Sequence, residues 1–426
     1  MANQNSCPDS YVTWLQCLAC GRHHPPETSF LLCPECGPAG FLSVTYDYPA
    51  IRRRWPQSAL ASSRERGMWR YLPLLPVSPT SAPPPLVVGG TPLYPLPHIA
   101  RRFGVKELYV KDEGQQPTGS LKDRASAIAV VRACELGVRT IATASTGNAA
   151  AALAALCASV QLKAVIFVPK TIPPAKLAQL IALGAHVLMV DGSYDEAFDL
   201  CTVACQRFGW YNRNTGLNPY MTEGKKTAAL ELCEQLGWRV PDLIFVPVGD
   251  GCILGGMHKG FADLLQLGWI DRLPRLVGVQ SAGSNYLYRA WQAGPGHRVE
   301  ALAPCTIADS IAVRLPRDPT KALRAVDETG GCFVCVTDEQ ITTAIKELAR
   351  LSGVFAEPAA AAAFAGLRAC AEDGALRAGE TAVLLITGNG LKDTAPLVRS
   401  LRREEMPTLV APRIESIERI FGDGTG

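Results

Sequence analysis

An α/β fold, with helices wound on both faces of parallel sheets, is predicted by three features of the chain. From Leu86 onward, short β-branched runs that are almost wholly apolar alternate with Ala- and Leu-rich segments at helical spacing; strands buried on both faces belong to parallel sheets covered by helices. Glycine marks the strand-to-helix turns PTGSLKDR, STGNAAAA, VPVGDGCILGG and LLITGNGLKD. The length of 426 residues, 48% hydrophobic and 19% charged, is enough for two cores and an accessory segment.

Taken in order, residues 1–48 carry CLAC (Cys17 to Cys20) and CPEC (Cys33 to Cys36), separated by twelve residues, each pair followed by Gly21 or Gly37. A glycine turn after each pair aims two thiolates at one point, and four sulfurs suit a tetrahedral structural Zn²⁺ with no open position for water. FLSVTYDY reads as the strand closing this zinc-ribbon-like module. Residues 49–88 are rich in Pro, Ser and Arg with little periodicity and read as a connector. The body spans 89–400, with a smaller subdomain at about 118–225. Its strands are ELYVKDE, TIATAS, KAVIFVP, HVLMVD, LIFVPVG, RLVGVQ and TAVLLITG. Cys332 and Cys335 repeat the CxxC spacing inside an apolar strand pattern with no partner pair, so they are assigned to the core. The Ala run PAAAAAFAG reads as a closely packed helix, and residues 401–426 as a charged, peripheral tail.

Composition excludes several roles. With 42 Lys and Arg against 39 Asp and Glu, the net charge of +3 gives no nucleic-acid footprint. No run approaches the roughly 18 apolar residues of a membrane span, and the N-terminus has neither a basic region nor an apolar core. Fifteen cysteines scattered through apolar patterns fit a reducing compartment. A soluble, cytoplasmic protein acting on a small molecule is expected.

In open α/β sheets a ligand sits beyond the carboxyl ends of the strands, where loops feed helix N-termini. Lys122 stands there, at the start of a small-residue helix with Arg124 nearby. Desolvation and a neighbouring cation are what keep a lysine amine partly neutral and nucleophilic. VGDGCILGG offers free backbone amides to a phosphate, and Thr387 presents a hydroxyl from the end of an apolar strand.

In order and spacing, PTGSLKDR, STGN, NPYMTEGKKT, PVGDG, EPAAA and TGNGLKD resemble the pyridoxal-phosphate enzymes of fold type II, most closely the threonine synthases, from Gly89 to Val398. The resemblance implies that Lys122 holds the cofactor covalently and moves the protons. It implies that Asn148 bonds the pyridine O3′, that the amides of Ser145, Thr146, Gly147 and Asn148 receive the substrate carboxylate, and that Thr387 faces the pyridine nitrogen. The loop Gly249, Asp250, Gly251, Cys252, Ile253 would hold the cofactor phosphate, and Lys226, Arg314 and Arg317 are candidates for the departing phosphate. The implied reaction is elimination or replacement on an amino-acid substrate, first that of threonine synthase, with β-replacement or β-elimination on O-phosphoserine, serine or threonine as the alternative. A homodimer is implied as well. The chain departs from the family at Asp250, where Asn or Gly is usual; at Ala149, where a hydroxyl is usual; at Lys225, where Gln is common; and in TIADSIAV (Thr306 to Val313), which is closer to the dehydratases.

Overall fold

In the computed structural model, residues 10–172, 174–294 and 299–421 are described. Strands β1 (Val12–Cys17), β2 (His23–His24) and β3 (Leu42–Tyr46) form an antiparallel sheet in the order β2-β1-β3. Leu42, Val44 and Tyr46 point inward at alternate positions of β3, the period-two pattern of a strand with one buried face.

Residues 49–88 differ from the expected connector. A helix runs from Tyr48 to Arg54 under an Asp47 cap that accepts from Ala50 N at 2.9 Å, and a 3₁₀ stretch, Met68–Leu74, buries Met68, Tyr71 and Leu74. Arg70 and Tyr71 both bond Glu234 of the body. Apolar side chains on a 3₁₀ path follow neither a 3.6 nor a 2.0 period, so the pattern hides their burial.

The body begins with β4 (Leu93–Pro95) and β5 (Glu107–Asp112), then builds β6 (Thr140–Ala144), β7 (Lys163–Pro169), β8 (His186–Val190) and β9 (Tyr211–Asn212) as a separate parallel sheet in the order β8-β7-β6-β9. It returns with β10 (Leu243–Pro247), β11 (Arg275–Ser281), β12 (Cys332–Val336) and β13 (Thr381–Ile386). The larger sheet has the order β12-β11-β10-β13-β5-β4, parallel except for β4. The last strand in sequence therefore slots between β10 and β5, which brings its carboxyl end beside those of strands far away in the chain. Two parallel sheets with helices on their faces are the predicted architecture; Cys332 and Cys335 lie in β12, but both are only half-buried at the edge of the larger sheet and not in its core.

Two helix contacts fix the cleft. The alanine-rich helix Pro358–Glu372 packs so closely on the larger sheet that a Cβ at Gly366 would lie 2.5 Å from Val279. Helix Cys252–Leu267 crosses Tyr220–Lys225 at Gly256, where a Cβ would meet that of Lys225 at 2.8 Å, and at Gly260 a Cβ would lie 2.5 Å from the Lys226 carbonyl oxygen. Only hydrogen fits there. In the tail, Glu405 pairs with Lys346 and Arg350, while helix Ile414–Phe421 buries no residue. No helix among the described residues is long and apolar enough to cross a membrane.

Candidate active site

The turn before Lys122 is clamped on three sides. Asp123, fully buried, accepts from Thr118 N at 2.7 Å and from the Thr118 hydroxyl; Lys392 Nζ donates to the Thr118 carbonyl at 2.8 Å. Leu121 N donates to the Thr387 carbonyl at 3.0 Å and Asn389 N to the Gly119 carbonyl at 2.9 Å. With its turn fixed in this way, the helix Lys122–Glu135 starts at the lysine itself.

Burial is the main cause that lowers the Lys122 amine from its ordinary value, and Arg213 pulls the same way against Cys252, Asp250 and Glu357. The neighbouring cation is thus Arg213 and not Arg124. The Arg124 guanidinium turns away, bonding Glu113 through Nε and Nη2 at 2.7 Å and Glu231 at 3.1 Å, all buried. At 100° per residue, a position two along a helix lies on the opposite side, so closeness in sequence misled here.

β10 ends in the predicted anion cradle. Gly251 has φ +91°, and a Cβ there would sit 2.7 Å from both Ala322 Cβ and the Asp318 carbonyl. The helix then begins at Cys252, and the backbone N–H groups of residues 249–254 find no acceptor among the described residues. Such a nest, at the positive end of a four-turn helix, suits a phosphate. Asp250 does not face it: the Asp250 carboxylate accepts from Arg317 N at 3.1 Å and its carbonyl from Asp318 N at 2.9 Å, and burial pushes its carboxyl up.

Two cations lie beside the cradle. Arg213 is fully buried, bonds Ser126 Oγ at 3.1 Å through Nε, and leaves Nη1 without a partner. Lys225, 1% exposed, reaches only Thr215 Oγ1 at 3.4 Å, and burial, helped by Arg213 and Lys122, pulls its amine down to about 8. No carboxylate among the described residues pairs with it. Lys226 is the opposite case: it is fully buried and neutralised by Glu223 and Asp263, away from the crevice. The anion contact expected of Lys226 does not fit this placement, because successive helical residues face different sides. Arg317 and Arg314 are held by Asp195.

Opposite the cradle, β6 feeds helix Asn148–Ser159. Ser145 N is spent on the Phe167 carbonyl at 3.2 Å and Gly147 N on Ser145 Oγ at 3.3 Å, so of the four expected amides those of Thr146 and Asn148 remain. Asn148 Nδ2 donates to both oxygens of Glu357, at 2.8 and 3.0 Å, and lies 3.4 Å from Ser310 Oγ. Lys122, Asn148, Gly249, Asp250, Gly251, Cys252, Ile253 and Thr387 line a single crevice together with Thr215, Ser310 and Glu357. Thr146 and Gly147 line the adjoining recess beside Lys176 and Lys392; Ser145 and Lys226 line neither, and Lys225 and Arg213 lie behind the lining residues. Sequence reasoning missed Thr215, Ser310 and Glu357 as site residues. Ser310 and Glu357 stood inside quoted motifs, TIADSIAV and EPAAA, without a role attached, whereas Thr215 precedes NPYMTEGKKT and carried no signal.

The crevice fits pyridoxal phosphate on its own chemistry: an amine whose basicity burial lowers, backbone amides without acceptors for a phosphate, and hydroxyl and amide groups for a polar ring. In the N-terminal module, Cys17 N bonds Arg22 O at 2.8 Å and Cys33 N bonds Gly40 O at 2.8 Å, with Gly21 at φ +74° and Gly37 at φ +55° closing the turns. The thiols of Cys17, Cys20, Cys33 and Cys36 lie within 4.8 Å of one another, and Cys20 and Cys33 are 4.0 Å apart. A tetrahedron with Zn–S of about 2.3 Å has edges of about 3.8 Å, so the donor set fits zinc.

The family pattern described as pyridoxal-phosphate dependent enzyme matches residues 85–388. The chain is 39% identical to the threonine synthase of Methanocaldococcus jannaschii over 407 residues, covering 95% of this chain and 98% of that one, and 39% identical to that of Methanosarcina acetivorans over 410 residues, covering 96% and 98%. Its fold overlays the processed form of threonine deaminase isoform 2 from Solanum lycopersicum with a TM-score of 0.59 at 25% identity, covering 70% of this chain and 79% of that one. On sequence, fold and site together, the chain belongs to the pyridoxal-phosphate dependent enzymes and, among them, to the threonine synthase family.

Proposed function

We propose that this protein converts O-phospho-L-homoserine and water to L-threonine and phosphate, using pyridoxal phosphate held at Lys122. The reading is carried by one observation above the rest: the chain is 39% identical to two threonine synthases over nearly the whole length of each. Lys225, buried and 3.4 Å from the crevice-lining Thr215, adds a cation with no carboxylate within ion-pair distance among the described residues.

When bound, the cofactor supplies an electron-accepting ring that makes the substrate's Cα–H, and then its Cβ–H, acidic. The chain's residues do the rest. Lys122 accepts the proton at Cα in its neutral form and returns protons as an ammonium, a role its lowered basicity suits. The amides of residues 249–254 hold the cofactor phosphate, and Asn148 and Thr387 orient the ring. Thr387 offers a hydroxyl instead of a carboxylate, which leaves the pyridine nitrogen largely unprotonated and favours elimination and replacement over transamination. Thr146 and Asn148 amides bind the substrate carboxylate. Lys225, with Thr215, receives the phosphate that leaves, and Ser310 offers the hydroxyl that Ala149 lacks.

Ala149 and the dehydratase-like TIADSIAV favour one alternative, β-elimination or β-replacement on O-phosphoserine, serine or threonine. Incubating the holoenzyme with each substrate and quantifying phosphate and amino-acid products separates the two: threonine from O-phospho-L-homoserine supports the first reading, and its absence sinks it.

The four thiolates are proposed to hold one structural Zn²⁺, checked by a metal-to-protein ratio of one that is lost in Cys20→Ser with Cys36→Ser. Among the described residues no cysteines are joined, in keeping with the cytoplasmic setting we propose. A homodimer, the assembly that the resemblance implies, completes the reading and is checked by sedimentation.

A further inference from the structure

The cysteine module is keyed into the body at the end of β3 that points away from its thiols. Tyr46, 4% exposed, donates its hydroxyl to Glu223 Oε2 at 2.6 Å. Two residues on, Tyr48 donates to Asp263 Oδ1 at 2.6 Å. Lys226 Nζ bridges the two carboxylates, 2.6 Å from Asp263 Oδ2, with its charge 4.1 Å from the centre of the Tyr46 ring, and Lys259 also pairs with Asp263. Two lysines balance two carboxylates in a site where Glu223, Lys226 and Asp263 are no more than 1% exposed. In such a network each phenol satisfies an acceptor that no water can reach.

The carboxylates belong to the two helices that build the anion site. Glu223 lies on Tyr220–Lys225, which carries Lys225; Asp263 lies on Cys252–Leu267, whose first turn is the cradle. These helices touch at Gly256 without room for a methyl group, and at Gly260 the second is equally tight against Lys226 and Ala229, which continue from the first, so a shift at one end of the contact carries to the other. A second tie comes from the loop between the cysteine pairs, where the Pro26 carbonyl accepts from Tyr220 OH at 2.9 Å. On the module's side, β3 joins both ends of the path: Leu42 pairs with Cys17, and Tyr46 reaches Glu223.

We infer that the N-terminal module is a positioning element of the catalytic crevice: metal at Cys17, Cys20, Cys33 and Cys36 sets β3, Tyr46 and Tyr48 set the helices of Glu223 and Asp263, and metal and cofactor therefore strengthen each other's binding. The inference rests on the proposed seat of the cofactor phosphate. Linkage makes the coupling reciprocal, so one factor describes both directions.

The experiment uses the full-length protein, with zinc and after chelation. Pyridoxal phosphate affinity is measured by equilibrium dialysis, zinc affinity by competition with a chromophoric chelator, and backbone mobility by hydrogen exchange of peptides covering 220–227 and 252–267. Zinc removal is expected to raise the cofactor Kd about tenfold, and saturating cofactor to tighten zinc by the same factor. Tyr46→Phe, with zinc retained, is expected to raise the cofactor Kd several-fold and speed exchange in both peptides, while Ser29→Ala on the module's exposed surface does neither. Unchanged cofactor Kd and unchanged exchange, in both the zinc-free protein and Tyr46→Phe, overturn the inference. If chelation unfolds the chain, Tyr46→Phe decides alone. If wild type binds no cofactor, the functional reading fails, and the exchange comparison still decides the coupling.

Discussion

The backbone N–H of Leu121 donates to the carbonyl of Thr387 at 3.0 Å, joining the turn that presents Lys122 to the strand end that presents the Thr387 hydroxyl. The two residues are far apart in sequence, yet one hydrogen bond holds the Lys122 turn against the strand end that carries the Thr387 hydroxyl. A site built on such a tie is positioned before any ligand arrives.

Replacing Lys122 with Ala is expected to lower turnover by about 10³-fold or more, since a proton carrier and the covalent anchor are lost together. Borohydride treatment of the holoenzyme followed by peptide mapping should place a pyridoxyl label on Lys122 in wild type and nowhere in the variant. A label on another lysine would displace Lys122 from the mechanism.

Lys225 predicts a pH dependence. Burial pulls its amine to about 8, so it is charged and anion-attracting below that value and neutral above it. Affinity for inorganic phosphate should therefore fall as pH rises, with a midpoint above 8 because a bound anion raises the amine again. Lys225→Met should flatten this dependence and weaken phosphate at pH 7, as read by competition with the substrate. A dependence that survives in the variant assigns it elsewhere.

Gly251 has a left-handed φ and no room for a Cβ. Gly251→Ala should cost about 1–3 kcal/mol of local strain, and an equivalent loss in cofactor binding is about tenfold in Kd for every 1.4 kcal/mol. Equilibrium dialysis checks this, and wild-type affinity would refute the assignment of the cradle.

Arg124→Met leaves the buried carboxylates of Glu113 and Glu231 without their shared guanidinium. The expected loss of stability is about 3–5 kcal/mol, measured as a lower urea midpoint. A change below about 1 kcal/mol would mean that these carboxylates find another counter-ion, with Lys111 beside Glu231 as the nearest.

Much was fixed by local chemistry and so was legible in the chain itself. Apolar β-branched runs gave the parallel strands, since a strand buried on both faces has no polar side to show. Glycine turns marked the cradle, and paired CxxC knuckles marked the thiol cluster, because in each case the groups that come together include residues adjacent in sequence. The tertiary structure decided which groups meet across the sheets. It placed Arg213 and not Arg124 beside Lys122, left Lys225 unpaired while Lys226 was neutralised, spent the Ser145 amide on β7, and brought Glu357 to Asn148. It also drew Ile51, Leu60, Met68, Tyr71 and Leu74 of the expected connector into the core. The physical reason is common to these outcomes: charge pairing and hydrogen bonding act over a few ångströms of space, whatever the separation along the chain, and burial makes each unpaired group costly enough to select its partner.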